Sequence, residues 1–177
     1  LTIRNKPMLQ WVVDNLAMPW ATHLFVVRGE DYGLYDLEGM MAHLTPKWSI
    51  IVQREKTEGA AVSVLKGLVG QDLEQDLLIA NCDQWLQWDS THFWRCCMAQ
   101  EVRGAIPVFR SAHPKWSYAR VEKGYVTEVA EKRVISPFAT CGVYYWKSAQ
   151  EFVDCAPLMM KDESKRVNGE WYCAPIF

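Results

Sequence analysis

No stretch of this sequence follows the Gly-x-Gly-x-x-Gly or P-loop pattern, although 10 glycines are spread over its 177 residues. That excludes the two common phosphate grips built into a glycine-rich turn. No Cys-x-x-Cys pair occurs among Cys82, Cys96, Cys97, Cys141, Cys155 and Cys173, and no Cys/His spacing suits zinc. An excess of charge is also missing. A net charge of -2 offers no basic face for a nucleic acid. No apolar run approaches the length needed to span a membrane, and no charged-then-apolar leader begins the chain. The expectation is therefore a cytoplasmic protein with reduced cysteines, several packing as small hydrophobes, while the even count leaves disulfides formally open.

What the sequence does contain suits a folded domain. Half of the residues are hydrophobic and 23% are charged, outside the range of disordered chains. The length fits a single domain over 1–177. Nine tryptophans are many for this length, and Trp85, Trp88 and Trp94 crowd one stretch. They could wall a ring or sugar, or simply pack the core.

The stretch around which the rest is arranged is Asp76-Leu77-Leu78-Ile79-Ala80-Asn81-Cys82-Asp83-Gln84. Its apolar run is too short for a helix and ends abruptly in polar residues, the pattern of a buried strand. Ligands of open α/β sheets gather beyond the carboxyl ends of strands. Asp83 stands at such an end, where a carboxylate either holds a divalent cation or caps the next turn.

Before it, apolar runs predict strands over 22–28 and 48–53. Helices are predicted from Asn5-Lys6-Pro7 to Pro19, over 35–44 and over 59–68. The alternation predicts a parallel sheet with crossover helices. After Gly104 the pattern changes. Strands are predicted over 104–110, 116–122, 125–132 and 140–146, with Lys123-Gly124 as a hairpin turn. A helix follows over 150–160, and a short aromatic segment from Gly169 reads as a final strand. The chain opens almost at once with a helix, so a first strand and its loop are expected to be missing.

Polar residues collect at these element ends. Gln53 closes a strand, and its amide offers a donor and an acceptor to a base edge. Thr57-Glu58-Gly59-Ala60 opens a helix whose N–H groups and dipole favour an anion. Glu131-Lys132 closes the strand after the hairpin. There Lys132 is a point charge for phosphate and Glu131 an acceptor for sugar hydroxyls. Gly169-Glu170 precedes the last segment. Singly, each also fits a plain role: Gln53 and Glu170 in solvent, and Glu131-Lys132 as a solvated pair.

In order, the segments resemble those of the sugar-phosphate nucleotidylyltransferases, in particular a bacterial polysaccharide-associated branch. They are Lys6-Pro7-Met8-Leu9-Gln10-Trp11, Ile51-Val52-Gln53 with Lys56-Thr57-Glu58-Gly59-Ala60-Ala61, Leu78 to Gln84, Val129-Ala130-Glu131-Lys132, Thr140-Cys141-Gly142-Val143-Tyr144-Tyr145-Trp146 and Gly169-Glu170. The resemblance implies a Rossmann-like three-layer α/β sandwich with a mixed, mainly parallel sheet. It implies transfer of a nucleotidyl group from a nucleoside triphosphate to a sugar 1-phosphate or similar phosphorylated acceptor, with release of pyrophosphate. Gln53 and the backbone at Gly59 would contact the base, and Asp83 would hold Mg2+ beside the α-phosphate. Glu131 would bind the acceptor sugar, Lys132 its phosphate, and Gly142 would let the sugar lie against the backbone. Glu170 would touch the sugar or the metal. The family's glycine-rich loop, with an Arg and a Pro-Lys, precedes the matching segments and is not in this sequence. A metal-dependent glycosyltransferase using a sugar nucleotide, or a non-catalytic binding fragment, are the alternatives. Homo-oligomerisation stays open.

Overall fold

A computed structural model describes residues 2–16 and 18–177. In chain order its elements are β1 (Thr2–Ile3), β2 (Lys6–Pro7), α1 (Met8–Asn15), β3 (His23–Arg28), α2 (Gly29–Leu34), α3 (Leu37–Leu44), β4 (Trp48–Gln53), α4 (Ala60–Gly67), β5 (Leu77–Ala80), α5 (Ser90–Ala99), β6 (Gly104–Ala105), β7 (Val108–Arg110), β8 (Tyr118–Glu122), β9 (Tyr125–Ala130), β10 (Phe138–Thr140), β11 (Val143–Trp146) and α6 (Ala149–Met159). Single 3-10 turns occupy Glu163–Lys165 and Ala174–Ile176. The fold is mixed α/β with several small sheets. It divides into two compact units: residues up to Lys56 with Asn81–Glu101, and Thr57–Ala80 with Val102–Phe177.

The first unit is built on a β-α-β crossover. Strands β3 and β4 pair in parallel from His23 opposite Trp48 to Arg28 opposite Gln53, as their apolar runs predict. The crossover holds one helix more than expected. Helix α2 has two glycines and buries no side chain, so hydrophobic periodicity carries no trace of it. Arg28 spans its first turn, pairing with Glu30 at 2.8 Å and Asp31 at 2.7 Å. Tyr35 then turns extended, and Asp36 caps α3 by accepting the Gly39 N–H at 2.9 Å. The predicted helix over 35–44 thus begins at Leu37.

At the other end of this unit, α1 starts later than predicted and stops well before Pro19. Pro7 is its N-cap, because Lys6 and Pro7 are drawn into a small hairpin with Thr2 and Ile3. Helix α5 lies in the tryptophan-rich stretch, where no helix is predicted. Asp89 caps it, accepting the His92 N–H at 2.9 Å. The tryptophans divide between packing and exposure. The Asn15 side chain donates to the Leu86 carbonyl at 2.7 Å and accepts the Leu86 N–H at 2.8 Å, while Trp88 Nε1 donates to the Asn15 carbonyl at 3.1 Å. Trp88 packs on Phe93 and Trp94 on Trp20, whereas Trp85 is 54% exposed.

The second unit holds two sheets, ordered β7-β10-β8-β9 and β5-β11-β6. Every pairing in both is antiparallel. This corrects the expectation of a mainly parallel sheet: among the described residues, parallel pairing is confined to β3 and β4. Strand β5 lies where predicted but runs antiparallel to β11, Leu77 opposite Trp146 and Ala80 opposite Val143. A short apolar run reports burial and not the direction of its partner. Helices α4 and α6 contribute Ala61, Phe152, Ala156 and Met159 to one buried cluster with Tyr144 and Trp146 of β11 and Val129 of β9.

Two predicted strands prove to be two strands each. The segment 104–110 breaks at Ile106-Pro107 into β6 and β7, and 140–146 breaks at Cys141-Gly142 into β10 and β11. In each case the halves belong to different sheets. Pro107 has no N–H for a ladder, and Gly142 takes a φ of 68°. The Cys141 N–H donates to the Pro107 carbonyl at 3.1 Å, so the crossings are tied together. No strand forms after Gly169. An isolated bridge joins Val167 and Glu170, and the chain ends in the 3-10 turn. No disulfide joins the six cysteines, and no helix is long and apolar enough to cross a membrane, among the described residues.

Candidate functional site

The hairpin of β8 and β9 turns at Lys123 and Gly124, with φ of 51° and 86°. Both are left-handed, the combination of a type I′ turn that suits twisted strands. Regular pleating along β9 would send successive side chains to opposite faces. The strand stops at Ala130, however, and Lys132 takes a φ of 50°. Glu131 and Lys132 are therefore in a turn, where alternation no longer separates them.

Each then finds its own partners. The Glu131 carboxylate accepts the Ser117 hydroxyl from the edge of β8. Burial pushes Glu131 above the usual glutamate range, against the opposing pull of Ser117 and of the Lys132 charge. Tyr144, buried beneath, accepts or donates with Thr140 at 3.4 Å and is raised far above an ordinary tyrosine by burial. Cys173 is pushed up to about 12, again by burial first and then by Glu131. Lys132 Nζ donates to the Tyr172 hydroxyl at 2.8 Å and lies 4.6 Å from the centre of its ring. The Tyr172 hydroxyl donates to Glu170 Oε2 at 3.1 Å. These contacts, the Tyr172 hydrogen bond foremost, raise Lys132 above its ordinary value. The ammonium stays charged.

Lys132, Glu131 and Glu170 thus gather at one end of the hairpin, and Tyr172 joins them. Tyr172 is absent from the sequence reading. A signal for it exists in Asn168-Gly169, a strong tight-turn dipeptide. Both residues are left-handed, with φ of 53° and 78°. Val167 and Glu170 exchange backbone hydrogen bonds at 3.0 Å across them. The turn is then fastened to the start of α4. The Trp171 N–H donates to the Glu58 carbonyl at 2.7 Å, and the Trp171 carbonyl accepts the Ala61 N–H at 3.0 Å. Arg166 pairs with Glu58 at 2.6 Å and lies over the Trp171 ring.

Gly59, N-cap of α4, has a φ of 115° and a ψ of 176°, a region essentially restricted to glycine. A Cβ there would meet the Trp171 backbone nitrogen and oxygen at 2.5 Å. The glycine therefore has a packing reason of its own: the backbone that approaches it closely belongs to this chain.

Gln53 ends β4, half-buried, paired in register with Arg28. Asp83 is exposed in the turn after β5, where Asn81 Nδ2 donates to Gln84 Oε1 at 3.0 Å. Gly142 sits at the crossing between β10 and β11. No group of three or more His, Cys, Asp or Glu side chains that could hold a metal occurs among the described residues. An exposed single carboxylate such as Asp83 fits Mg2+ of the kind held by one or two carboxylates together with substrate phosphates and water. It does not make an all-protein cage.

The chain matches no protein-family model and no curated protein by sequence. Solved structures do match its fold. A nucleoside-diphosphate-sugar pyrophosphorylase from Vibrio cholerae RC9 superposes with a TM-score of 0.79 at 21% identity, over 99% of this chain and 75% of that one. A UDP-glucose pyrophosphorylase complexed with UDP-glucose gives 0.74 at 14% identity, over 99% and 75%. At such identity the likeness is one of fold. This chain therefore shares its α/β fold with nucleotide-sugar pyrophosphorylases, structures of the sugar-phosphate nucleotidylyltransferase family.

Proposed function

We propose that the chain is the body of a nucleotidyltransferase. It would join a nucleoside triphosphate to a sugar 1-phosphate or similar phosphorylated acceptor, releasing pyrophosphate. The observation that carries this reading is the cluster at the end of β9. A charged lysine stands beside two carboxylates that can accept sugar hydroxyls, in a chain whose fold is that of nucleotide-sugar pyrophosphorylases. The ordered segments that resemble the family support it independently. The reading carries with it the family's three-layer Rossmann-like arrangement in a single domain preceded by a glycine-rich loop. It also implies a cytoplasmic place in nucleotide-sugar and polysaccharide synthesis.

In this reading an oxygen of the acceptor's phosphate attacks the α-phosphorus of the triphosphate, and pyrophosphate leaves. Catalysis of this kind rests on alignment and on neutralising phosphate charge. Lys132 holds the acceptor's phosphate. Glu131 and Glu170 accept hydrogen bonds from the sugar, which lies against the backbone at Gly142. Gln53 reads the base edge, and the backbone at Gly59 borders the nucleotide. Asp83 is the protein ligand for Mg2+, which when bound neutralises phosphate charge.

The test is pyrophosphate release over a panel of nucleoside triphosphates and sugar 1-phosphates, on the natural full-length protein. Release that requires one member of each class is expected. Release without any acceptor, or none with any pair, overturns the reading.

A further inference from the structure

Tyr172 holds a place that no sequence motif assigns to it. Its ring carries the Lys132 ammonium at 4.6 Å, and its hydroxyl accepts a Lys132 N–H at 2.8 Å. A phenol has a single proton to donate. Here that proton goes to Glu170 Oε2 at 3.1 Å, so the hydroxyl's lone pairs face Lys132 and the direction of the relay is set. An ammonium has three N–H donors. Tyr172 takes one and steers the others. Without it, Lys132 would be a long flexible side chain on an exposed turn, with rotamer freedom to lose on every binding event.

The placement of Tyr172 is itself enforced. Trp171 is bonded through both its N–H and its carbonyl to the start of α4, and its neighbour has little freedom to swing away. Two contacts from Tyr172 converge on the lysine, a hydrogen bond and an aromatic face, and the Glu170 carboxylate orients the hydroxyl that makes the first.

We propose that Tyr172 is the positioning residue for Lys132, pre-orienting its ammonium toward the phosphate of a phosphorylated acceptor. This rests on the nucleotidyltransferase reading for the identity of the acceptor, but not for the coupling of the two residues. Tyr172 acts through Lys132 and does not itself touch the phosphate. The raised basicity of Lys132 agrees with this, since the Tyr172 hydrogen bond is its main cause.

The test is calorimetric binding of glucose 1-phosphate, inorganic phosphate, glucose and UTP to wild type, Tyr172→Phe, Lys132→Ala and the double variant, each checked for native thermal unfolding. Tyr172→Phe keeps the ring and removes only the hydroxyl. It is expected to weaken glucose 1-phosphate and inorganic phosphate by the same factor, roughly two- to tenfold, the range spanned by one hydrogen bond's net contribution. Glucose and UTP should be unmoved. In the Lys132→Ala background the hydroxyl should make no further difference, because additivity fails for residues acting as a unit. Equal phosphate binding by wild type, Tyr172→Phe and Lys132→Ala, including none by any of them, overturns the proposal. So does a hydroxyl effect that survives in Lys132→Ala, or a matching loss of UTP. If inorganic phosphate shows the coupling but no sugar phosphate binds, Lys132 and Tyr172 are coupled as proposed, and it is the acceptor reading that fails.

Discussion

Gly59 and Trp171, far apart in the chain, are in backbone contact so close that no side chain can stand between them. A Cβ on Gly59 would lie 2.5 Å from the Trp171 nitrogen and oxygen. Gly59→Ala must strain a glycine-only conformation and displace backbone, not a flexible side-chain tip. It should destabilise by roughly 2 kcal/mol or more. Urea unfolding measures this, and an unchanged midpoint would show that the contact is not made. Because Trp171 anchors Tyr172, phosphate affinity should fall in the same variant.

Glu131 should make stability depend on pH in an unusual direction for a carboxylate. Burial raises it in the folded chain, so the folded state binds its proton more readily than the unfolded state. The corresponding stability is fully present below the usual glutamate value and is lost as pH rises through the raised one. Glu131→Gln keeps an acceptor for Ser117 and removes the charge. Relative to wild type it should gain stability at neutral pH, the gap closing as acid protonates Glu131. Urea midpoints of the two proteins across a pH series give the answer, and a gap that widens in acid would contradict it.

Asp83 is exposed in a turn, so Asp83→Asn should leave the fold intact. It should remove the magnesium-dependent part of triphosphate affinity. Titration of a triphosphate with and without Mg2+ measures that part directly. A variant that keeps the full magnesium dependence excludes Asp83 as the ligand.

Gln53→Ala should flatten the preference among nucleoside triphosphates while slowing chemistry less. A good polar pairing at a base edge discriminates by about 1–3 kcal/mol in nucleic-acid recognition, which serves as a guide. Competition between triphosphates measures the preference, and an unaltered ranking with unaltered ratios would rule Gln53 out.

The cysteines should titrate as six thiols in unfolded, non-reduced protein. In the native protein Cys141 and Cys173 are buried, with thiols raised by that burial. They should react only on the timescale of unfolding. Recovery of four or fewer thiols from fresh unfolded protein would establish disulfides. Rapid native labelling of Cys173 would contradict its burial.

Elements whose signal is local can be read from the residues alone. Strands β3, β4 and β5 are apolar runs bounded by polar residues. Helix α4 shows a buried face, and Lys123-Gly124 supplies the left-handed pair that a tight hairpin needs. The placing of Glu131 and Lys132 at a strand end was legible in the same way. Helices without a periodic apolar face were not: α2 buries no side chain and is held by Arg28 and its acidic neighbours, and α5 buries only Ser90 and Cys97 beyond its Asp89 cap. The remaining features are set by pairings between distant parts of the chain. The run 140–146 reads as one strand, because apolar pattern says nothing of the sheet a residue will join, and the switch at Gly142 follows from which partners are free to pair. Strand β5 could not declare itself antiparallel, since direction belongs to the pair and its partner β11 lies far along the chain. Tyr172 meets Lys132 for the same reason: a hydrogen bond between residues 40 positions apart is fixed by the tight turn at Asn168-Gly169 and by the backbone seat of Trp171 on Gly59, not by spacing in the sequence.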